Sequence, residues 1–196
     1  MKNILRLLTV MTLTLAACTN SSSDKKDTGK STNPPAVPGN DTTMKKTKET
    51  LSTVSIKEIL DSYLQMKNAF ANDKDANAAT AANDMTKAIA GFNKAALTPD
   101  QAKNFTDITE DAKEHAEHIG KNPGNIKHQR EHFGLLSKDM YQLVKTFGAG
   151  QPLYYDHCPM YNDGKGANWI SETEAIANPY YGQKMSGCGI VKEKLK

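Results

Sequence analysis

Apolar positions recur at helical spacing from residue 55 to residue 147, in four blocks separated by short polar turns. In the first block Ile56, Ile59, Leu60, Tyr63, Leu64 and Phe70 share one face, the three-to-four spacing of an amphipathic helix. Ser55-Ile56-Lys57-Glu58 precedes it in capping-box form, where serine and glutamate each satisfy an otherwise orphaned amide. The second block is predicted as an alanine-rich helix from about Asp75 to Ala95, with Ala78, Ala82, Met85, Ala88, Ile89 and Phe92 as its stripe. Thr98-Pro99-Asp100-Gln101 opens the third: a threonine cap, proline at the first helical position and glutamine three after the cap. Its apolar face is Phe105, Ile108, Ala112, Ala116 and Ile119, and Gly120-Lys121-Asn122-Pro123-Gly124 ends it. Asn125 caps the fourth, with Ile126, Phe133, Leu136, Met140, Leu143, Val144 and Phe147 inward and Gly148 as its stop. Gln129 falls near the centre of that face, where a buried amide needs a partner; it is expected to order the tail or a histidine. Four such helices with short connections predict an all-α fold, an up-down four-helix bundle.

The pattern changes at both ends. Lys2 and Arg6 precede an apolar stretch from Leu7 to Ala17, too short to span a bilayer and typical of a secretion signal. Leu15-Ala16-Ala17-Cys18 resembles the lipobox of bacterial lipoproteins. That resemblance implies removal of residues 1–17, acylation of Cys18, and a membrane anchor facing the periplasm or the cell surface. Residues 18–52 hold almost nothing apolar and are expected to be a solvated linker. Residues 53–196 then form the bundle and a C-terminal Cys/Met region. After Gly148, Pro152, Pro159, Gly164, Gly166, Pro179, Gly182, Gly187 and Gly189 interrupt any long element. This tail is expected to be an irregular loop region with one short helix, capped by Ser171-Glu172-Thr173-Glu174 and halted at Asn178-Pro179.

Charge adds little. The chain has 25 basic and 22 acidic residues, and losing Lys2 and Arg6 with the signal leaves 23 against 22. No basic stripe with interleaved aromatics appears, so a nucleic-acid partner is not expected. No nucleophile–base–orienter set and no glycine-rich phosphate loop stands out, which argues for a binding protein and not an enzyme.

The three cysteines change the picture. With Cys18 assigned to lipid, Cys158 and Cys188 remain, and each has a methionine nearby: Met160 and Met185. Thiolate and thioether are soft ligands that select Cu(I). Cys158 and Met160 are two apart, so an extended strand places both sulfurs on one side. Met185 and Cys188 are three apart, so one helical turn does the same. His157 is a further candidate ligand through an imidazole nitrogen; Zn(II), which thioethers suit poorly, is the less favoured metal. An oxidising compartment equally permits a Cys158–Cys188 disulfide, closing about thirty residues and contributing roughly 3 to 4 kcal/mol. In that alternative the protein is a stapled module that docks a protein partner.

Four more histidines lie on the third and fourth helices. His115 and His118 are one turn apart, as are His128 and His132, and an antiparallel hairpin sets them in matching layers. His115 and His132 fall at the border of the apolar stripe, so they either face each other or diverge; His118 and His128 point further toward solvent. Glu114, Glu117 and Glu131 stand beside them. They read as border residues of a charged face, as a second, harder site able to hold zinc, or as groups completing the sulfur site if the tail folds over this hairpin.

Several tail segments carry a resemblance: Tyr154-Tyr155-Asp156-His157-Cys158-Pro159-Met160, Gly166-Ala167-Asn168-Trp169-Ile170-Ser171, Ile176-Ala177-Asn178-Pro179-Tyr180-Tyr181-Gly182, Met185 and Cys188-Gly189. With Gln129-Arg130-Glu131-His132-Phe133 on the fourth helix, they resemble a bacterial domain of unknown function over roughly residues 55–192. That domain occurs alone in lipoproteins and at the C-terminal end of some CusB-like copper/silver efflux adaptors. Cys158-Pro159-Met160 is also similar to a Tyr-x-Cys-Pro-Met-His heavy-metal-binding motif, although here His157 precedes the cysteine. The resemblance implies extracytoplasmic handling of Cu(I) or Ag(I), buffered or passed to a copper efflux system. No adaptor hairpin or barrel accompanies it in this sequence.

Overall fold

The computed structural model describes residues 55–196; the expected signal peptide, the lipidation candidate Cys18 and the expected linker lie outside the described residues. Helices α1 (Lys57–Ala71), α2 (Asp75–Gly91), α3 (Pro99–Lys121) and α4 (Ile126–Phe147) follow the four apolar blocks. The Thr98 hydroxyl accepts from Gln101 N at 3.2 Å while Gln101 Oε1 accepts from Thr98 N at 3.0 Å, the reciprocal box expected at the start of α3. Asn125 Oδ1 accepts from His128 N at 3.3 Å to cap α4.

Two boundaries differ from expectation. Ser55 Oγ accepts from Lys57 N at 3.3 Å, and Ile56 takes the N-cap position with no side-chain cap, so no box with Glu58 forms. Helix α2 stops at Gly91, short of Ala95. Phe92 turns extended there and stacks on Phe105 with ring centroids 4.0 Å apart, a contact that continued helix would forgo.

The all-α expectation is overturned by the tail. Strands β1 (Leu153–Cys158), β2 (Ala167–Ser171) and β3 (Ile190–Leu195) form an antiparallel sheet in the order β2-β1-β3. Tyr155 lies opposite Ile170 and His157 opposite Asn168 on one side of β1, and Tyr154 opposite Lys194 on the other. Asn162 and Asp163 hold φ of 55° and 56°. Short polar side chains tolerate that left-handed region, and the pair turns β1 back into β2. The short helix expected before Asn178 does not form. Instead Ser171 ends β2, and its Oγ accepts from Thr173 N at 3.2 Å, a local bond that competes with helix formation.

The sheet also alters the bundle. Helices pack in succession, α1 on α2, α2 on α3 and α3 on α4, whereas α1 and α4 touch sparingly and β2 packs against both. Trp169, Ile170 and Tyr180 thereby join Tyr63, Phe70, Phe133 and Leu136 in one buried core. Each such side chain contributes about 1.5–3 kcal/mol by leaving water. Tyr63 locks the joint: its hydroxyl pairs with Ser137 Oγ at 2.8 Å and accepts from Ile170 N at 3.0 Å. The outer edge of β2 is thus occupied by a side chain of α1, which leaves that edge less open to another strand.

Candidate metal centre

The two tail cysteines converge. Cys158 ends the central strand β1 and is fully buried. Cys188 precedes β3 and is half-buried, and the two Sγ atoms stand 3.0 Å apart with both thiols free. The Cys188 thiol is pushed up in pKa, first by its hydrogen bond to Cys158, then by burial and the neighbouring sulfur. Two thiolates side by side repel each other, so a cation between them relieves what holds that proton on.

Asn178, itself fully buried, sets the position of Cys188. Its Nδ2 donates to Cys188 O at 2.6 Å, and its Oδ1 accepts from Tyr180 N at 2.8 Å and Tyr181 N at 3.1 Å. Gly189 lets the chain pass close by: a Cβ there would come within 2.8 Å of Trp169 Cη2. The preceding turn is held from the helices. Arg130 Nε donates to Pro179 O at 2.7 Å, and its Nη2 donates to Phe70 O at 2.7 Å and Asp73 Oδ1 at 2.6 Å. Asp73 Oδ2 accepts from Gln183 N at 3.0 Å, so the α1–α2 turn grips the tail. Gly182, at φ +57°, sits against this pair, where a side chain would collide with Asp73 and Arg130. Arg130 therefore does what was expected of Gln129. Gln129 Nε2 instead donates to Asp75 O at 3.2 Å and Ile119 O at 3.0 Å, joining the start of α2 to the end of α3.

The remaining tail candidates are placed less closely. His157 points away from Cys158, since successive strand residues alternate faces. It shares a 2.8 Å hydrogen bond between Nδ1 and Asn168 Oδ1 and does not join the thiols. Met160 is 53% exposed, because β1 ends at Cys158 and the chain turns at Pro159; the extended spacing predicted for this pair does not hold. Met185 is half-buried, and its carbonyl accepts from Cys188 N at 3.0 Å, the single turn predicted for the second pair.

The histidines cluster on the α3–α4 hairpin. His115 and His132 face each other with Nδ1 atoms 3.3 Å apart. His118 stacks on His132 at 4.3 Å with ring planes 8° apart, and His128 meets His132 edge-on at 4.7 Å. Burial holds the His115 and His132 imidazoles below their usual pKa range, and for His132 the neighbouring histidines add to the effect. The tail docks on α4 through Arg130 and on Phe133 through Tyr180, and neither thiol belongs to the histidine group. The histidines therefore do not complete the sulfur site. Two carboxylates escaped the sequence reading. Asp139 Oδ2 lies 4.0 Å from His115 Nε2, and its pKa rises to about 6 by desolvation and the charge of Asp111; its spacing of seven from His132 was the available signal. Asp156 is fully buried with neither oxygen hydrogen-bonded, and desolvation lifts its pKa to about 7 against the opposing effect of Lys67. No signal in the sequence distinguishes Asp156 from a surface strand residue.

Residues 59–152 match a family model described as a protein of unknown function (DUF3347). The match spans the four helices and stops just short of β1, so the helical part is similar to a domain of unknown function and the cysteines lie beyond it. No curated protein and no solved structure matches the chain. Among the described residues no helix is long and apolar enough to cross a membrane.

Proposed function

We propose that this is a Cu(I)-binding protein of the bacterial cell envelope, anchored through lipid on Cys18, that holds the ion between Cys158 and Cys188. The observation that carries the reading is the approach of the two free thiols to 3.0 Å across thirty residues of chain. Soft thiolates select Cu(I) over harder divalent ions. A metal bonded to both sulfurs at about 2.3 Å with a tetrahedral angle needs them about 3.8 Å apart, so Cys188 moves outward by under about 1 Å while Cys158 stays fixed in β1. Met185, joined to Cys188 by a single turn, is the candidate thioether, and the exposed Met160 suits exchange of the ion with a partner. The role that follows is buffering copper, or Ag(I), and passing it to an efflux system.

The test is Cu(I) competition against a chromophoric chelator, with thiols counted beforehand. Two reactive thiols that one equivalent of Cu(I) protects, with competition lost in Cys158→Ser/Cys188→Ser, is the expected result. No reactive thiols before reduction, and unchanged competition in the double variant, would replace this reading with that of a disulfide-stapled interaction module.

A further inference from the structure

Nitrogens of His118, His128 and His132 all lie within 4.8 Å of one another, gathered from two helices whose backbones are fixed by core packing. Neither tail cysteine takes part. Three imidazoles bonded to one zinc at about 2.0–2.1 Å stand about 3.3 Å apart in tetrahedral geometry. Closing from 4.8 Å to that separation takes at most about 1.5 Å of side-chain movement, with the stacked His118 and His132 opening toward a common centre.

What lies behind the three rings matters as much. His132 Nδ1 faces His115 Nδ1 at 3.3 Å, and His115 Nε2 faces Asp139 Oδ2 at 4.0 Å. That oxygen is buried and has no hydrogen-bond partner. Glu131 Oε2 lies 3.7 Å from His128 Nδ1. A proton on His132 Nδ1 is shared with His115 Nδ1, which leaves Nε2 of His132 free to coordinate, while Asp139 Oδ2 faces His115 Nε2 from 4.0 Å, beyond direct hydrogen-bond reach. A carboxylate behind a histidine fixes its tautomer and raises its basicity as a ligand.

We propose that His118, His128 and His132 bind a borderline divalent cation, Zn(II) or Cu(II), with His115 and Asp139 as positioning residues and with no contribution from Cys158 or Cys188. Imidazole favours such ions over Mg(II) and Ca(II), which take oxygen ligands. Three protein ligands leave one position open to water or an incoming ligand. The exposed His118 puts that position at the surface, where the ion exchanges readily.

The experiment uses the purified protein, Zn(II) competition against a chromophoric chelator, and Co(II) as a spectroscopic reporter. Wild type and Cys158→Ser/Cys188→Ser are expected to bind one Zn(II) equally, and Co(II) to give ligand-field bands without sulfur-to-cobalt charge transfer in the double-serine variant. His118→Ala/His128→Ala is expected to lose at least tenfold in Zn(II) affinity while keeping wild-type Cu(I) competition. His118→Ala alone, at an exposed helix position, gives the same direction of loss with folding preserved by circular dichroism. Asp139→Asn is expected to weaken Zn(II) without abolishing it. Zn(II) affinity unchanged in the histidine variants, or lost only with the cysteines, overturns the proposal.

Discussion

Asp156→Asn separates the cost of a buried charge from everything else in the sheet. Asp156 sits in the central strand opposite Trp169, fully buried, with neither carboxylate oxygen hydrogen-bonded. Its pKa stands at about 7 in the fold against 3.8 for a free side chain. A carboxyl raised on folding leaves stability intact below its unfolded pKa and removes it as pH climbs through the folded one. The full difference is about 3 pKa units, or about 4 kcal/mol, of which about 2.6 kcal/mol is lost between pH 5 and pH 8. Asparagine keeps the shape and cannot ionise. Urea unfolding followed through the single, buried Trp169 measures both proteins across that range. Asp139 also loses stability as pH rises, while His115 and His132, depressed by burial, lose it as pH falls. The difference between wild type and variant removes these shared contributions. The variant is expected to gain on wild type by about 2–3 kcal/mol from pH 5 to pH 8, or about 8 °C in midpoint at the usual slope for this size. Parallel curves would refute the reasoning and mean that the carboxylate is ionised throughout, partnered by Lys67.

Arg130→Ala removes the bonds to Pro179 O, Phe70 O and Asp73 and is expected to cost about 2–5 kcal/mol, read by urea unfolding; a loss under about 1 kcal/mol would mean the tail holds by apolar contact alone. The same variant removes the main cause of the lowered Asp73 pKa. Wild type therefore loses more stability than the variant as pH falls below the ordinary carboxylate range. Asn178→Ala leaves Cys188 O and the Tyr180 and Tyr181 amides without side-chain partners, and is expected to cost about 2–4 kcal/mol. It should also weaken Cu(I) about tenfold in chelator competition, and unaltered affinity would show that Cys188 is positioned without it.

The helical half was legible because its determinants are local. Thr98 and Asn125 cap helices through residues within three of themselves, and the turn from Asn122 to Asn125 fixes α3 against α4 closely enough to align His115 with His132. Where a tertiary contact competes, local reading fails: Phe92 leaves α2 for the face of Phe105, a choice invisible in either segment alone. The sheet was hidden for a related reason. Strand β1 mixes Tyr154 and Tyr155 with a buried Asp156 and a hydrogen-bonded His157, so no apolar alternation marks it. Strand β3 buries little besides Leu195. Only Asn162-Asp163-Gly164, a turn signal between short segments, pointed to the β1–β2 hairpin.

The sheet also gives the two cysteines different surroundings. They are not equivalent. Cys158 is fixed in a central strand between two hydrogen-bonded neighbours, with its sulfur fully buried. Cys188 rides on a turn held by one asparagine and a few backbone bonds, half-buried, just after the short 3₁₀ turn Gly182–Met185. Under the proposed function, in which the protein grips a soft ion and then releases it, one rigid thiolate and one on a yielding turn set different tasks for the two sulfurs. Cys158 retains the ion in the proposed site while Cys188 is the first to let go, so the exchange rate should answer to Asn178 more than to any residue of β1.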